Sequence, residues 1–132
     1  MFRGLIPVLL LAALAACGGV TDPSQNQTQT FSGTIQPAGF SDTLQFNASK
    51  SGEITITVTN LNPTVPSGTF FSVLWGQIVG NQCAPISVAS LAIVGSTAIT
   101  SAITPGSYCV VVADTYNSFK TAEQFTLTVS HP

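Results

Sequence analysis

From about residue 31 onward, apolar and polar residues alternate. "GEITITVTN" puts Ile54, Ile56 and Val58 on one face and Thr55, Thr57 and Thr59 on the other, the period of a strand with one wet side. "EQFTLTVSH" repeats the pattern, with Phe125, Leu127 and Val129 set against Thr126, Thr128 and Ser130. "DTLQFNA" does so with Leu44 and Phe46, and "FFSVLWG" with Phe71, Val73 and Trp75 against Phe70 and Leu74. "SYCVVVAD" is apolar on both faces, as a central strand covered on both sides must be. Turn signals divide these runs at Pro37-Ala38-Gly39, Lys50-Ser51-Gly52, "LNPTVPSG" and Pro105-Gly106. Gly95-Ser96 predicts a two-residue hairpin joining "SVASLAIV" to "TAITSAI". The span from Ser87 to Ile103 is apolar enough to test as a membrane helix, but its Ser, Thr, Gly and β-branched residues favour strands. About eight short strands predict an all-β fold, an antiparallel β-sandwich of jelly-roll type.

Composition sharpens this picture. Of 132 residues only 6% are charged, against about 25% in an average protein. Ser, Thr, Asn, Gln and Gly take their place, residues that suit strands and turns better than helix interiors. Arg3, Lys50 and Lys120 are the only basic side chains, so no basic surface exists to follow a phosphate backbone, and nucleic acid is not an expected partner.

The start of the chain follows different rules. "MFRG" carries one positive charge, and "LIPVLLLAALAA" is an apolar run of signal-peptide length, shorter than the ~20 residues that cross a bilayer. The junction Leu14-Ala15-Ala16-Cys17 resembles the lipobox of bacterial lipoproteins. The resemblance implies cleavage before Cys17, a diacylglycerol thioether on its sulfur and acylation of the new amino terminus. Cys17 then joins the chain to a membrane, since more than one acyl chain gives stable anchoring. In that family an Asp after the cysteine often signals inner-membrane retention. Gly18 stands there instead, so the expected address in a Gram-negative cell is the outer membrane. The expected organisation is a signal peptide over 1–16, the lipidated cysteine and a flexible tether over 17–30, and the sandwich over 31–132.

With Cys17 assigned to lipid, Cys83 and Cys109 remain. An exported pair meets an oxidising compartment, so a disulfide closing 27 residues is expected, with free thiols or a metal site as alternatives. A metal site lacks ligands: the single histidine, His131, is next to the C-terminus, and there is no C-x-x-C pair.

The same scarcity argues against catalysis. A hydrolase triad needs a positioned base, and His131 sits where chains fray. Asp42 and Glu53 are the conceivable carboxylate pair, with nothing but their position beside turns to mark them. No Gly-rich phosphate loop is present, and Gly76 reads as a strand end. No enzyme activity, metal or cofactor is expected. Binding through aromatic rings is the better idea. Tyr116 and Phe119 lie in the polar loop "DTYNSFKTAE", and Phe40 sits in a similar setting in "PAGFSD". Trp75 falls within a predicted strand, where a core role competes with binding. These four are the candidate binding residues.

Two segments carry a second resemblance. Phe31 to Thr34 ("FSGT"), Phe46, Pro105 to Tyr108 ("PGSY") and Phe125 to Val129 ("FTLTV") resemble the opening and closing motifs of the bacterial pre-peptidase C-terminal domain. The likeness covers both ends of the folded part, while residues 60–100 depart from the pattern. It implies a compact, non-catalytic β-sandwich used for secretion, solubility or binding to matrix and carbohydrate. Some members bind calcium through acidic residues near the start and in the central strand. "FFSVLWG" has no acid, so that site does not carry over. The expected function is a lipid-anchored cell-envelope module that binds or scaffolds protein or glycan. The alternatives are an accessory or inhibitory factor for an exported enzyme, or a purely structural surface protein.

Overall fold

The computed structural model describes residues 22–132. The expected signal peptide and Cys17 lie outside the described residues. A short 3-10 turn (Pro23–Gln25) leads into eight strands: β1 (Gln27–Ile35), β2 (Leu44–Ala48), β3 (Gly52–Asn62), β4 (Phe71–Val79), β5 (Gln82–Ala92), β6 (Thr97–Ile103), β7 (Gly106–Ala113) and β8 (Glu123–His131). They form two four-stranded sheets, ordered β1-β8-β3-β6 and β2-β7-β4-β5. Pairing is nested: β1 with β8, β2 with β7, β3 with β6 and β4 with β5, all antiparallel. A long hairpin rolled up on itself gives this order, which is the expected jelly roll. Every alternating run behaves as its pattern dictates. Ile54, Ile56 and Val58 pack inward from one sheet and Phe71, Val73 and Trp75 from the other, while the threonines between the isoleucines face water.

Strand β1 begins at Gln27, so residues 27–30 belong to the sandwich and not to a tether. Their polarity reads as a linker, but Gln27 through Thr30 pair with His131 through Thr128, and the ladder supplies what the side chains do not. Just before the strand, the Asn26 side-chain amide donates to the Glu53 carbonyl at 2.8 Å and pins the entering chain.

The last two residues are packed as well. His131 and Pro132 are buried. The His131 ring lies 5.0 Å from Phe46, its Nε2 2.8 Å from Gln29 Oε1 and its Nδ1 2.9 Å from the Pro132 oxygen. The pairing of Gln27 with His131 holds the terminus in place.

Gly95-Ser96 is not a hairpin turn. Strands β5 and β6 sit in different sheets, because β5 pairs with β4 and β6 with β3; residues 93–96 are a crossover between sheets. The two-residue hairpin is Gly80-Asn81, both at positive φ (56° and 64°), the backbone that matches strand twist.

Cys83 and Cys109 form a disulfide with Cα atoms 5.8 Å apart. They belong to β5 and β7, with β4 between them in the sheet. Gly76, which lies inside β4 and not at its end, makes the bridge feasible. It pairs with Cys109 on one side, and a Cβ there would collide with the Ala84 carbonyl oxygen on the other. The start of β5 therefore passes close over Gly76, bringing Cys83 within reach of β7. A register shift in the β4–β5 ladder between Trp75 and Gly76 accompanies this crossing.

The roll has two ends. The described chain enters at the near end, together with the β2–β3, β4–β5 and β6–β7 connections and the C-terminus. There the Tyr108 hydroxyl donates to the Thr104 carbonyl at 2.6 Å, tying the β6–β7 corner. The far end collects the β1–β2, β3–β4, β5–β6 and β7–β8 loops.

Candidate functional site at the far end

Asp114 follows β7 and organises this end. Its Oδ2 accepts from the backbone N–H of Ala38 at 2.9 Å and of Phe119 at 3.1 Å, and its Oδ1 accepts from Ser118 N–H at 2.7 Å. Its own N–H donates to the Gly39 carbonyl at 2.9 Å. One buried carboxylate thus ties the β1–β2 loop to the β7–β8 loop. It also steadies Ala38, whose φ of 56° is unusual for a residue with a Cβ. The Ser118 hydroxyl donates to the Phe70 carbonyl at 3.0 Å, and the Ser72 and Thr115 hydroxyls share a bond of 2.6 Å, which adds the β3–β4 loop to the set.

These cross-ties carry three exposed rings. Phe40 is 72% exposed, Tyr116 48% and Phe70 45%, and each projects from a different loop of the same end. Aromatic rings held outward on loops suit contact with a partner.

Two of the four candidate binding residues are corrected. Trp75 is 2% exposed and lies 5.6 Å from the Tyr108 ring, so it is core. The inward phase of β4 sends it there with Phe71 and Val73. Phe119 is also buried, 6.3 Å from Phe71, because Asp114 turns the loop back onto the sandwich. It offers a partner no exposed face of the kind its polar neighbours imply. Phe40 and Tyr116 are outside, as the loop composition predicts, and Phe70 joins them.

A groove of about 440 Å³ opens between the β3–β4 and β7–β8 loops. Pro63, Val65, Pro66 and Phe70 give it apolar walls, Phe119 lies beneath, and Thr69, Ser118 and Thr121 add hydroxyls. Among the described residues, its charged lining is Lys120 and Glu123. Glu123 holds the inward phase of β8, opposite Ile35, and is 4% exposed. Burial pushes its carboxyl above the usual range, and its Oε2 is buried without a hydrogen-bond partner among the described residues.

The two conceivable catalytic carboxylates are not brought together. Asp42 belongs to the β1–β2 connection at the far end and Glu53 to the start of β3 at the near end. Among the described residues, no three His, Cys, Asp or Glu side chains cluster.

Asp114, Glu123 and Phe70 are the residues that sequence reasoning passed over. Asp114 had a signal, since an Asp at a strand end before Thr-Tyr-Asn-Ser is the composition of a side-chain-capped turn. Glu123 had one too, an acid in the apolar phase of "EQFTLTV". The chain matches no protein-family model and no curated protein.

Proposed function

We propose that the protein is a lipid-anchored, non-catalytic module of the cell envelope that binds protein or glycan through the far-end loops of its sandwich. The observation that carries the reading is polarity of the fold. The described chain enters at the near end, and the exposed rings of Phe40, Phe70 and Tyr116 stand at the other. Five residue steps separate Cys17 from Asp22, a reach of about 18 Å at most. Strands of nine residues extend about 30 Å. A membrane holding Cys17 therefore faces the near end, and the rings face away from it. The likeness to the pre-peptidase C-terminal domain supports the same reading, as does the sandwich itself.

The test has two arms. Intact mass of the membrane-extracted protein is expected to correspond to a chain starting at Cys17 and carrying acyl groups. A lipid-free mass sinks the anchor. Crosslinking in whole cells is expected to capture an envelope partner that the Phe40→Ala/Tyr116→Ala variant loses while its melting temperature holds. Capture unaffected by both truncations sinks the far-end site.

A further inference from the structure

We infer that the far-end groove is a receptor for a cationic side chain, a lysine or arginine presented by a partner protein, with Glu123 as its counter-ion. The inference rests on the far-end binding reading and names the chemistry of that site.

An isolated carboxylate in a desolvated position is costly unless it is paired. Glu123 is almost fully buried, yet among the described residues Oε2 has no hydrogen-bond donor. A core position in this register elsewhere holds Phe125, Leu127 or Val129, so a leucine or glutamine would fit the fold with less penalty. Glu123 is the one acid in that inward set, and it borders an open groove. The walls suit the rest of a long basic side chain: Pro63, Val65 and Phe70 offer apolar surface to its methylenes while the head reaches the carboxylate. A neutral apolar ligand leaves the carboxyl unpaired, and an anion meets a buried negative group. Hydroxyl ligands gain at most ordinary hydrogen bonds, whereas a cation gains a charge-assisted one.

Lys120 lines the same groove and carries the opposite charge. It is exposed, so salt and water screen it, while the buried carboxylate is screened much less. Its presence lowers the attraction for a second cation without abolishing it.

The experiment follows backbone amide shifts of the full chain in detergent as N-acetyl-lysine methylamide is added, with N-acetyl-norleucine methylamide as the uncharged isostere. The expected result is saturable movement of Phe70, Ser118 to Thr121 and Glu123, with the lysine probe binding at least about tenfold more tightly than norleucine. Glu123→Gln is expected to remove that preference, and Lys120→Ala to keep or strengthen it. Equal binding of the two probes by the unaltered protein, no binding of either, or an undiminished preference in Glu123→Gln overturns the inference. The comparison of probes on the unaltered protein stands even if the variant fails to fold. Failure here, with partner capture still dependent on Phe40 and Tyr116, discards the cation receptor alone. Loss of both discards the far-end site.

Discussion

Asp114→Ala is the substitution with the largest consequence for the far end. It removes the acceptor of three backbone N–H groups, those of Ala38, Ser118 and Phe119. A hydrogen bond to a charged group contributes about 1.5–3 kcal/mol, and an orphaned buried donor costs about 1–3 kcal/mol. The Phe119 bond is buried, so its donor bears the full penalty, roughly 2 kcal/mol. The other two are part-buried, and water recovers some of their value, leaving about 1 kcal/mol each. The sum is a loss of about 4 kcal/mol from a domain whose whole stability falls in the range of about 5–15. Urea unfolding reads it directly, because Trp75 is the single tryptophan and is buried in the core. The midpoint should fall while the slope against urea stays constant, since the surface exposed on unfolding is unchanged. Asp114→Asn keeps one acceptor oxygen and should lose about half as much. Amide exchange should accelerate at Ala38, Ser118 and Phe119 and remain slow in β8. A loss under about 1 kcal/mol for the alanine variant, or slow exchange at all three amides, refutes the view that this carboxylate holds the loops together.

Gly76→Ala should drive the start of β5 off β4, leave Cys83 and Cys109 accepting a thiol label, and cost at least the ~3.5 kcal/mol expected of a 27-residue disulfide loop. The same change in a Cys83→Ser/Cys109→Ser background should cost less, and an oxidised, equally stable Gly76→Ala protein contradicts the crossing geometry. Phe119→Ala should lose about 3–5 kcal/mol in urea unfolding and Tyr116→Ala no more than about 0.5, and similar losses from the two are incompatible with their burial. Burial raises the Glu123 carboxyl above its unfolded value, so the folded state holds that proton more tightly. Its contribution to stability is therefore complete below the unfolded value of about 4.3 and declines as pH rises through the folded value. Lys120 is the other charge at the groove, and Glu123→Gln should flatten this decline in unfolding midpoints followed against pH. Parallel profiles for the two proteins reject the assignment.

Local pattern carried most of the architecture. The alternation around Ile54–Val58 and Phe125–Val129 identified strands and their buried faces, because a strand sends successive side chains to opposite sides whatever it pairs with. The cysteine count anticipated the disulfide, and the doubly apolar run of β7 anticipated a central strand. Polar loop composition marked Phe40 and Tyr116 as candidates, and the structure holds both outside. The errors share one cause: each concerned a residue whose environment comes from a segment distant in sequence. Gln27 to Thr30 look like linker until β8 pairs with them. His131 reads as a loose end until Gln29 and Phe46 enclose it. Gly95-Ser96 reads as a hairpin because the turn is local, while the sheets its two flanks join are decided by β4 and β3. Phe119 follows polar residues but packs against Phe71 of β4.

The sequence by itself determined that the chain builds strands with one wet face, that it carries only three basic side chains, and that its N-terminal segment resembles a lipoprotein signal. Those are properties of periodicity, composition and short motifs. Only the tertiary structure decided that strand k pairs with strand 9 − k, that β5 crosses over Gly76 to reach Cys109, and that four loops meet at the end opposite the entering chain. It alone placed Glu123 beside an open groove, with Oε2 unpaired among the described residues. Such facts depend on which distant residues pack together to bury the apolar faces, and a register of residues along one strand holds no record of its neighbour.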